Sequence, residues 1–277
     1  MARYIIHNNK FFKDDIPTIN VASRGLRYGD GFFETMKAEK GIIQLKQLHF
    51  QRIVKSIELL GFEFSRLINL DTIELKINQL LIKNHNLLNA RIRLMIFRRK
   101  GGLYDGVSNI PDYTIETFPL EEIVEFNSNG LTLDIFSRAL KSCDDFSNIK
   151  SNNFLPYVMG AKFATDNQLN DAIILNSHKR ICDTTIANIF TIKDGVLSTP
   201  SLQEGCIAGV MRQKILNMLK DRYKIIEGKL TTQDIENADE VFLTNAIKGI
   251  RWVKSIGDNT YINKTTKEIY RYIQKTI

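Results

Sequence analysis

Ile181-Cys-Asp-Thr-Thr-Ile-Ala-Asn-Ile-Phe190 is the stretch on which the reading of this chain turns. It follows the apolar run Asp171–Leu175 and a polar turn, Ser177–Arg180. It leads into a strand, Asn188–Ile192, a hairpin turn at Lys193-Asp194-Gly195, and a second strand, Val196–Ser198. Asp183 sits just after the strand Asp171–Leu175. About thirty residues upstream, Lys150 lies between a strand-like stretch, Leu131–Phe136, and a helix-like one, Asn153–Asn167. An amine and a buried carboxylate held by one domain make a usable pair. The amine can condense with an aldehyde, and the carboxylate can keep a ring nitrogen protonated. Taken singly, a lysine is most often a solvated surface residue and an aspartate a turn or cap residue. The constellation carries the reading.

Working outward, the start of the chain reads as a hairpin, Tyr4–His7 and Lys10–Phe12 around Asn8-Asn9. Gly29-Asp30-Gly31 breaks the chain before a strand, Phe32–Ala38, and Glu39-Lys40-Gly41 turns it into Ile42–Leu45. The spacing of Ile53, Ile57 and Leu60 predicts a helix over Lys46–Leu60, with Gly61 just past its end. Asp71-Thr-Ile-Glu74 has the form of a capping box opening a second helix, whose stripe is Ile73, Ile77, Leu80 and Leu81. Ala90–Phe97 alternates, so Arg91 and Arg93 share the polar side of a half-buried strand. Tyr113–Phe118 is a further strand, and Pro119–Gly130 is a polar linker.

In the second half, Gly205–Gly209 precedes a helix, Val210–Asp221. A strand Lys224–Glu227, a short helix Thr232–Asn237, strands Glu240–Thr244 and Ile250–Ser255, and a helix Lys264–Lys275 follow. The expected organisation is an N-terminal α/β domain over 1–120, a linker over 121–130 and a C-terminal domain over 131–277. The lack of a strict βαβ rhythm makes the fold class α+β, in the broad α/β sense.

The 277 residues suffice for a sizeable core, and 43% hydrophobic with 25% charged residues is ordinary for a globular protein. The absence of a run of about 18 apolar residues argues against a transmembrane helix. The start, Met-Ala-Arg-Tyr-Ile-Ile-His7, lacks the apolar core of a signal peptide, so the cytosol is the expected compartment. Three cysteines without a CxxC pair argue against a disulfide framework or a zinc site, and no metal is expected. The formal charge of +7 is spread along the chain and mixed with acids, which speaks against nucleic acid as the partner. The densest basic cluster, Arg91, Arg93, Arg98, Arg99 and Lys100, suits an anionic small molecule equally well.

An anion such as a phosphate needs a cradle, and Gly205-Cys-Ile-Ala-Gly-Val-Met-Arg212 offers one, with glycines for close approach and a helix start. Arg52 adds a guanidinium suited to bidentate contact. Together these segments resemble the class IV aminotransferase family, the fold-type IV enzymes that use pyridoxal 5′-phosphate (PLP), and most resemble its aminodeoxychorismate lyases. The resemblance spans nearly the whole chain in order. It runs through Tyr28-Gly-Asp-Gly-Phe-Phe-Glu34, His49-Phe-Gln-Arg52, Ile149-Lys150-Ser-Asn152, Asp183-Thr-Thr-Ile-Ala-Asn188-Ile-Phe190, Gly209-Val-Met-Arg212 and Ala238-Asp-Glu-Val-Phe-Leu-Thr-Asn-Ala246.

What the resemblance implies is specific. Lys150 is the catalytic lysine that binds the PLP aldehyde. Arg52 and the Val210-Met211 helix start hold the phosphate, Asp183 faces the ring nitrogen, and Ala246 and Ile247 complete the cofactor's surroundings. Tyr28, Phe33, Arg91, Arg93 and Arg98 are the substrate-side candidates. The cofactor is expected in a cleft between two domains, in a homodimer acting on a small-molecule amino substrate. Asp183 departs from the family's usual glutamate by one methylene.

Two reactions compete. Arg98 with Gly101-Gly102 and Tyr104, the Gly205–Gln213 segment, Thr244-Asn-Ala246, and Phe33 where D-amino-acid transaminases carry tyrosine favour the lyase, which releases pyruvate and 4-aminobenzoate for folate synthesis. Arg99 and Leu103 depart from the lyase loop, and Arg91-Ile-Arg93-Leu-Met-Ile-Phe97 also resembles a branched-chain transaminase strand. An amino-acid transaminase, of branched-chain or D-amino-acid type, is therefore the alternative. An inactive PLP-fold binding protein is the remote one, and the intact Lys150 speaks against it.

Overall fold

The computed structural model describes residues 3–63, 69–104, 108–121 and 126–275. The chain divides into two compact units, one of Met1–Glu122 with Ile149–Asn153, the other of Ile123–Asn148 with Phe154–Ile277.

The first unit contains, in order, β1 (Tyr4–His7), β2 (Lys10–Lys13), α1 (Arg24–Tyr28), β3 (Gly31–Glu39), β4 (Ile42–Ile43), α2 (Lys46–Leu59), α3 (Leu70–Lys83), β5 (Asn89–Arg98) and β6 (Pro111–Pro119). The strands form an antiparallel sheet ordered β2-β1-β6-β5-β3-β4. Side chains alternate across a strand. Phe32, Met36 and Ala38 of β3 and Ile92, Leu94 and Ile96 of β5 therefore enter one core with Ile53 and Ile57 of α2 and Ile73, Ile77, Leu80 and Leu81 of α3. The apolar spacing that predicts the two helices is the spacing that fills this core.

Several local expectations change. The second helix is capped by Asn69, whose side chain accepts the Thr72 N–H at 2.8 Å, and not by the Asp71–Glu74 box. The expected strand Ile42–Leu45 stops at Ile43, because Leu45 adopts a left-handed conformation as the N-cap of α2. Helix α1 is too short to leave a period in the sequence.

The Lys150 segment also differs from the expected organisation, which assigned it to the C-terminal domain. Residues 149–153 cluster with the first unit. The Phe33 N–H donates to the Lys150 carbonyl at 2.9 Å, the Asn152 N–H donates to the Gly31 carbonyl at 3.0 Å, and Phe32 bridges to Ser151. Backbone pairing with the start of β3 outweighs proximity in sequence.

The second unit contains β7 (Leu131–Lys141), α4 (Leu155–Asp166), β8 (Asp171–Asn176), β9 (Ile181–Thr184), β10 (Asn188–Lys193), β11 (Val196–Pro200), a 3-10 turn (Leu202–Glu204), α5 (Val210–Leu219), β12 (Ile225–Gly228), α6 (Thr232–Glu236), β13 (Glu240–Asn245), β14 (Gly249–Ile256), β15 (Asn259–Thr260) and α7 (Lys264–Gln274). The sheet is mixed and ordered β12-β11-β10-β13-β14-β7-β8-β9, with β15 on β14. Neighbours Ile173 and Ile174 of β8 go to different clusters. Ile173 packs with Leu133, Ile189, Leu243 and Val253, and Ile174 packs with Phe136, Tyr157 and Ala164. Both faces are thus covered, which is why β8 reads as a continuous apolar run. The mixture of strands and helices is the α+β arrangement expected.

Of the expected linker, residues 122–125 lie outside the described residues. No helix among the described residues is long and apolar enough to cross a membrane.

Candidate active site

In the first unit, Lys150 is held by its backbone against β3, and its Nζ stands 4.7 Å from the centroid of the Phe33 ring. The Arg93 guanidinium lies 4.3 Å from the same ring. Arg93 pairs across the sheet with Thr35 on one side and Glu116 on the other. Burial lowers the Arg93 pKa, opposed by the charge of Glu116. A partly desolvated cation of this kind gains from an anionic ligand. Arg91 is exposed on the same side of β5, over the Phe118 ring at 4.5 Å. Tyr28 ends α1, also exposed, with the Arg24 guanidinium 5.1 Å from its ring.

Arg98 is placed differently from its expected substrate-side position. Its Nε donates to the Asp30 carboxylate, its Nη1 to Asn109 at 3.1 Å, and its Nη2 to the Leu60 carbonyl at 2.6 Å. Arg24 Nε reaches the same Asp30 at 2.8 Å. The Gly-Asp-Gly motif is thus a clamp in which two arginines share one carboxylate, and Arg98 serves as framework. Gly31 is required there, since a Cβ would fall 2.3 Å from the Ile96 carbonyl oxygen.

Arg52 projects from α2 onto Glu34 of β3. Its Nε donates to Oε2 at 3.1 Å and its Nη2 to Oε1, while His49 Nδ1 lies 2.6 Å from Oε1. Burial alone would raise the Glu34 pKa. Arg52 and then His49 more than offset it and hold the carboxyl at about 2. Two contacts to one carboxylate fix the guanidinium plane.

In the second unit, Asp183 of β9 is 2% exposed. Its Oδ2 accepts from the Tyr157 hydroxyl at 2.7 Å, the Ile207 N–H at 2.9 Å and Lys141 Nζ at 3.3 Å, and its Oδ1 accepts from Asn188 Nδ2 at 2.9 Å. Burial raises the Asp183 pKa, opposed by Lys141 and these donors. Burial, then Asp183, also pushes up the neighbouring thiols Cys182 and Cys206, the latter to about 12, so both stay neutral. Asn188 supports Asp183, and its Nδ2 also donates to the Ile207 carbonyl at 2.8 Å.

Helix α5 begins at Val210 and Met211 behind Gly209, an N-cap without a side chain. The first N–H groups of a helix have no partner within it and carry the positive end of its dipole. A Cβ on Gly209 would fall 1.8 Å from Asn188 Oδ1, so the loop packs against the Asp183 support as only glycine allows. Arg212 anchors the helix through the Pro200 carbonyl at 2.9 Å and Glu227 at 2.6 Å. After β13, the Ile247 N–H is taken by Asn245 Oδ1 at 3.0 Å, so that donor is committed within the chain, and Ala246 stands beside it.

The residues present fit PLP. Thr244 pairs with Asn188 across the sheet, which puts both side chains on one face. The Thr244 Oγ1 is buried without a hydrogen-bond partner among the described residues. A buried hydroxyl in that position is suited to a polar ligand. Lys141 and Tyr157 were not anticipated from the sequence. Tyr157 stands seven positions after Lys150, the one positional hint it gave. Lys141 gave none, because a lysine at a strand end ordinarily reads as solvated.

Comparison with known proteins follows the same lines. Residues 31–256 match the model of the family described as amino-transferase class IV. A putative branched-chain-amino-acid aminotransferase of Methanocaldococcus jannaschii is 27% identical over 97% of this chain and 93% of its own. An aminodeoxychorismate lyase of Vibrio harveyi is 28% identical over 89% of this chain and 91% of its own. Among solved structures, the branched-chain amino acid aminotransferase of Escherichia coli superposes with a TM-score of 0.85 at 24% identity, covering 98% of this chain and 92% of that one.

Proposed function

The chain belongs to the amino-transferase class IV family of PLP-dependent enzymes, and on that premise we propose that it is an aminodeoxychorismate lyase. The observation that carries the choice is the trio of Lys150, Phe33 and Arg93. An aromatic ring without a hydroxyl stands beside the lysine, with a half-buried guanidinium against it. A flat, carboxylated six-membered ring finds an apolar surface in Phe33 and a counter-charge in Arg93.

Bound PLP supplies an aldehyde that captures the substrate amine and a ring that draws electrons from the bond being broken. The residues that would hold it are Lys150, Arg52, Asp183, Val210, Met211, Ala246 and Ile247. Lys150 Nζ acts as the general base at the carbon bearing the substrate nitrogen. The ring C–O bond would then break with its electron pair leaving on the enolpyruvyl oxygen, which takes up a proton and is released as pyruvate, and the ring, having lost one proton to Lys150 and that oxygen substituent, would be aromatic as 4-aminobenzoate. Glu34 keeps Arg52 in the plane in which it meets a phosphate. The buried Phe33 ring and the half-buried Arg93 limit water beside the amine. In keeping with the family resemblance, the enzyme works in the cytosol as a homodimer.

The second reading is an amino-acid transaminase, favoured by the Arg91–Phe97 strand and by the Methanocaldococcus relative. In that reading Lys150 Nζ would take up the same proton and pass it on, and no group would be expelled. The two readings separate in a paired assay. Release of pyruvate and 4-aminobenzoate from aminodeoxychorismate, with slow exchange between amino acids and 2-oxoglutarate, is expected. Fast exchange without aromatic product gives the enzyme to the transaminases. Lys150→Ala abolishes both activities and the visible absorbance band of the bound cofactor. Retention of that band moves the aldehyde to another amine.

A further inference from the structure

Asp183 is the least regular residue of the site, and its surroundings explain how a shorter carboxylate is used. Four donors converge on its Oδ2, the Tyr157 hydroxyl, the Ile207 N–H, the Cys182 thiol and Lys141 Nζ, and the last of them is a cation. Lys141 closes β7 after a register shift between Phe136 and Leu140, an irregularity of the kind that re-aims a side chain. Its Nζ reaches Oδ2 at 3.3 Å with the Lys141 side chain 10% exposed, and it lies 5.1 Å from the centroid of the Tyr157 ring.

We infer that Lys141 shares the Asp183 carboxylate with the ring nitrogen of bound PLP and keeps that nitrogen less protonated than an unshared carboxylate would. The inference rests on the reading of Asp183 as the ring-nitrogen partner. A lone anion beside a pyridine favours its protonated form. A lysine ammonium on the same carboxylate makes a nearly neutral pair, whose field at a third group is far weaker than that of a single charge. The other groups packed around Asp183 do not restore the lost charge. Tyr157 from α4 and Cys182 from β9 are held neutral by burial and then by Asp183, as is Cys206 from the loop before α5. The cation of Arg212 is paired with Glu227.

The consequence bears on the choice of reaction. A less protonated ring withdraws electrons less strongly. Elimination that ends in an aromatic ring tolerates this, because the departing pyruvate takes the electron pair. Transamination, which must hold the pair until a proton arrives elsewhere, is disfavoured.

The test is the 15N chemical shift of ring-labelled PLP bound to the protein, followed against pH, together with the affinity for PLP. In the wild type, a signal displaced toward the unprotonated form at neutral pH is expected. A fully protonated signal across the accessible pH range overturns the inference without recourse to any variant. Lys141→Met raises the apparent pKa of the ring nitrogen by about 1–3 units, as expected when a nearby like charge is removed. Lys141→Gln does the same, and serves if the methionine variant folds poorly. Lys141→Arg and Tyr157→Phe leave the signal close to that of the wild type. An unmoved signal in both Lys141→Met and Lys141→Gln also overturns it. Asp183→Asn separates the two levels, because an unmoved signal there removes the underlying assignment of Asp183.

Discussion

Glu34 is a buried carboxylate answering to two partners, Arg52 and His49, and its ionisation is bound up with the stability of the first unit. Its pKa of about 2, against 4.5 for an unperturbed glutamate, is worth on the order of 3 kcal/mol at neutral pH. The folded value is the lower one. The stabilisation is therefore complete above the unfolded value and is lost as pH falls from about 4.5 toward 2. Urea unfolding of the first unit followed between pH 7 and pH 2 is expected to show this loss. Glu34→Gln is destabilised by about that amount at pH 7, with a flatter acid limb, and loses more affinity for PLP than for pyridoxal, which has no phosphate. Equal losses for the two ligands detach Arg52 from the phosphate. The sequence singles out Arg52 and Lys150 as candidates because each sits in a spaced motif. Lys141 stayed hidden because its role depends on a strand irregularity, which no spacing reports.

Among the elements, α5 shows how a glycine commits a helix start to one neighbour. Gly209→Ala places a methyl group on Asn188, the residue whose amide holds both Asp183 and the Ile207 carbonyl. A cost of about 1–3 kcal/mol, as for overpacking elsewhere, and a loss of retained PLP are expected from thermal unfolding and absorbance. Gly228→Ala is the control, since its Cβ would meet nothing closer than 3.6 Å. Unchanged PLP retention in Gly209→Ala argues against the α5 start as the phosphate cradle. The long periodic helices α2 and α3 were legible from their apolar stripes. Helix α1 and strand β9, five and four residues long, were not, because a period cannot declare itself over one turn or two pleats. The cap of α3 was misread because Asn69 and Asp71 are both good capping residues, and backbone geometry decides between them.

For the whole molecule, the proposed homodimer has a surface to examine. Val21, Leu26, Ile16, Ile19 and Tyr28 are large apolar residues exposed within one short stretch of the first unit. Sedimentation at micromolar concentration is expected to give twice the 31.8 kDa chain mass, and Leu26→Glu to shift the species toward monomer. A wild-type monomer under these conditions removes the dimer. The polar stretch after β6 suggests a boundary in the sequence, but the membership of residues 149–153 was not legible there, since it depends on hydrogen bonds to a strand more than a hundred residues earlier. That return of the chain has a consequence for biosynthesis. Because the polypeptide emerges from its N-terminus, the first unit has all of β1 to β6 available well before residue 153, yet it cannot complete the pairing at the start of β3. The lysine amine joins its sheet only after a stretch of the second unit has been made. A fragment ending at residue 122 therefore lacks the amine altogether, and no single cut between the units yields two whole folding units.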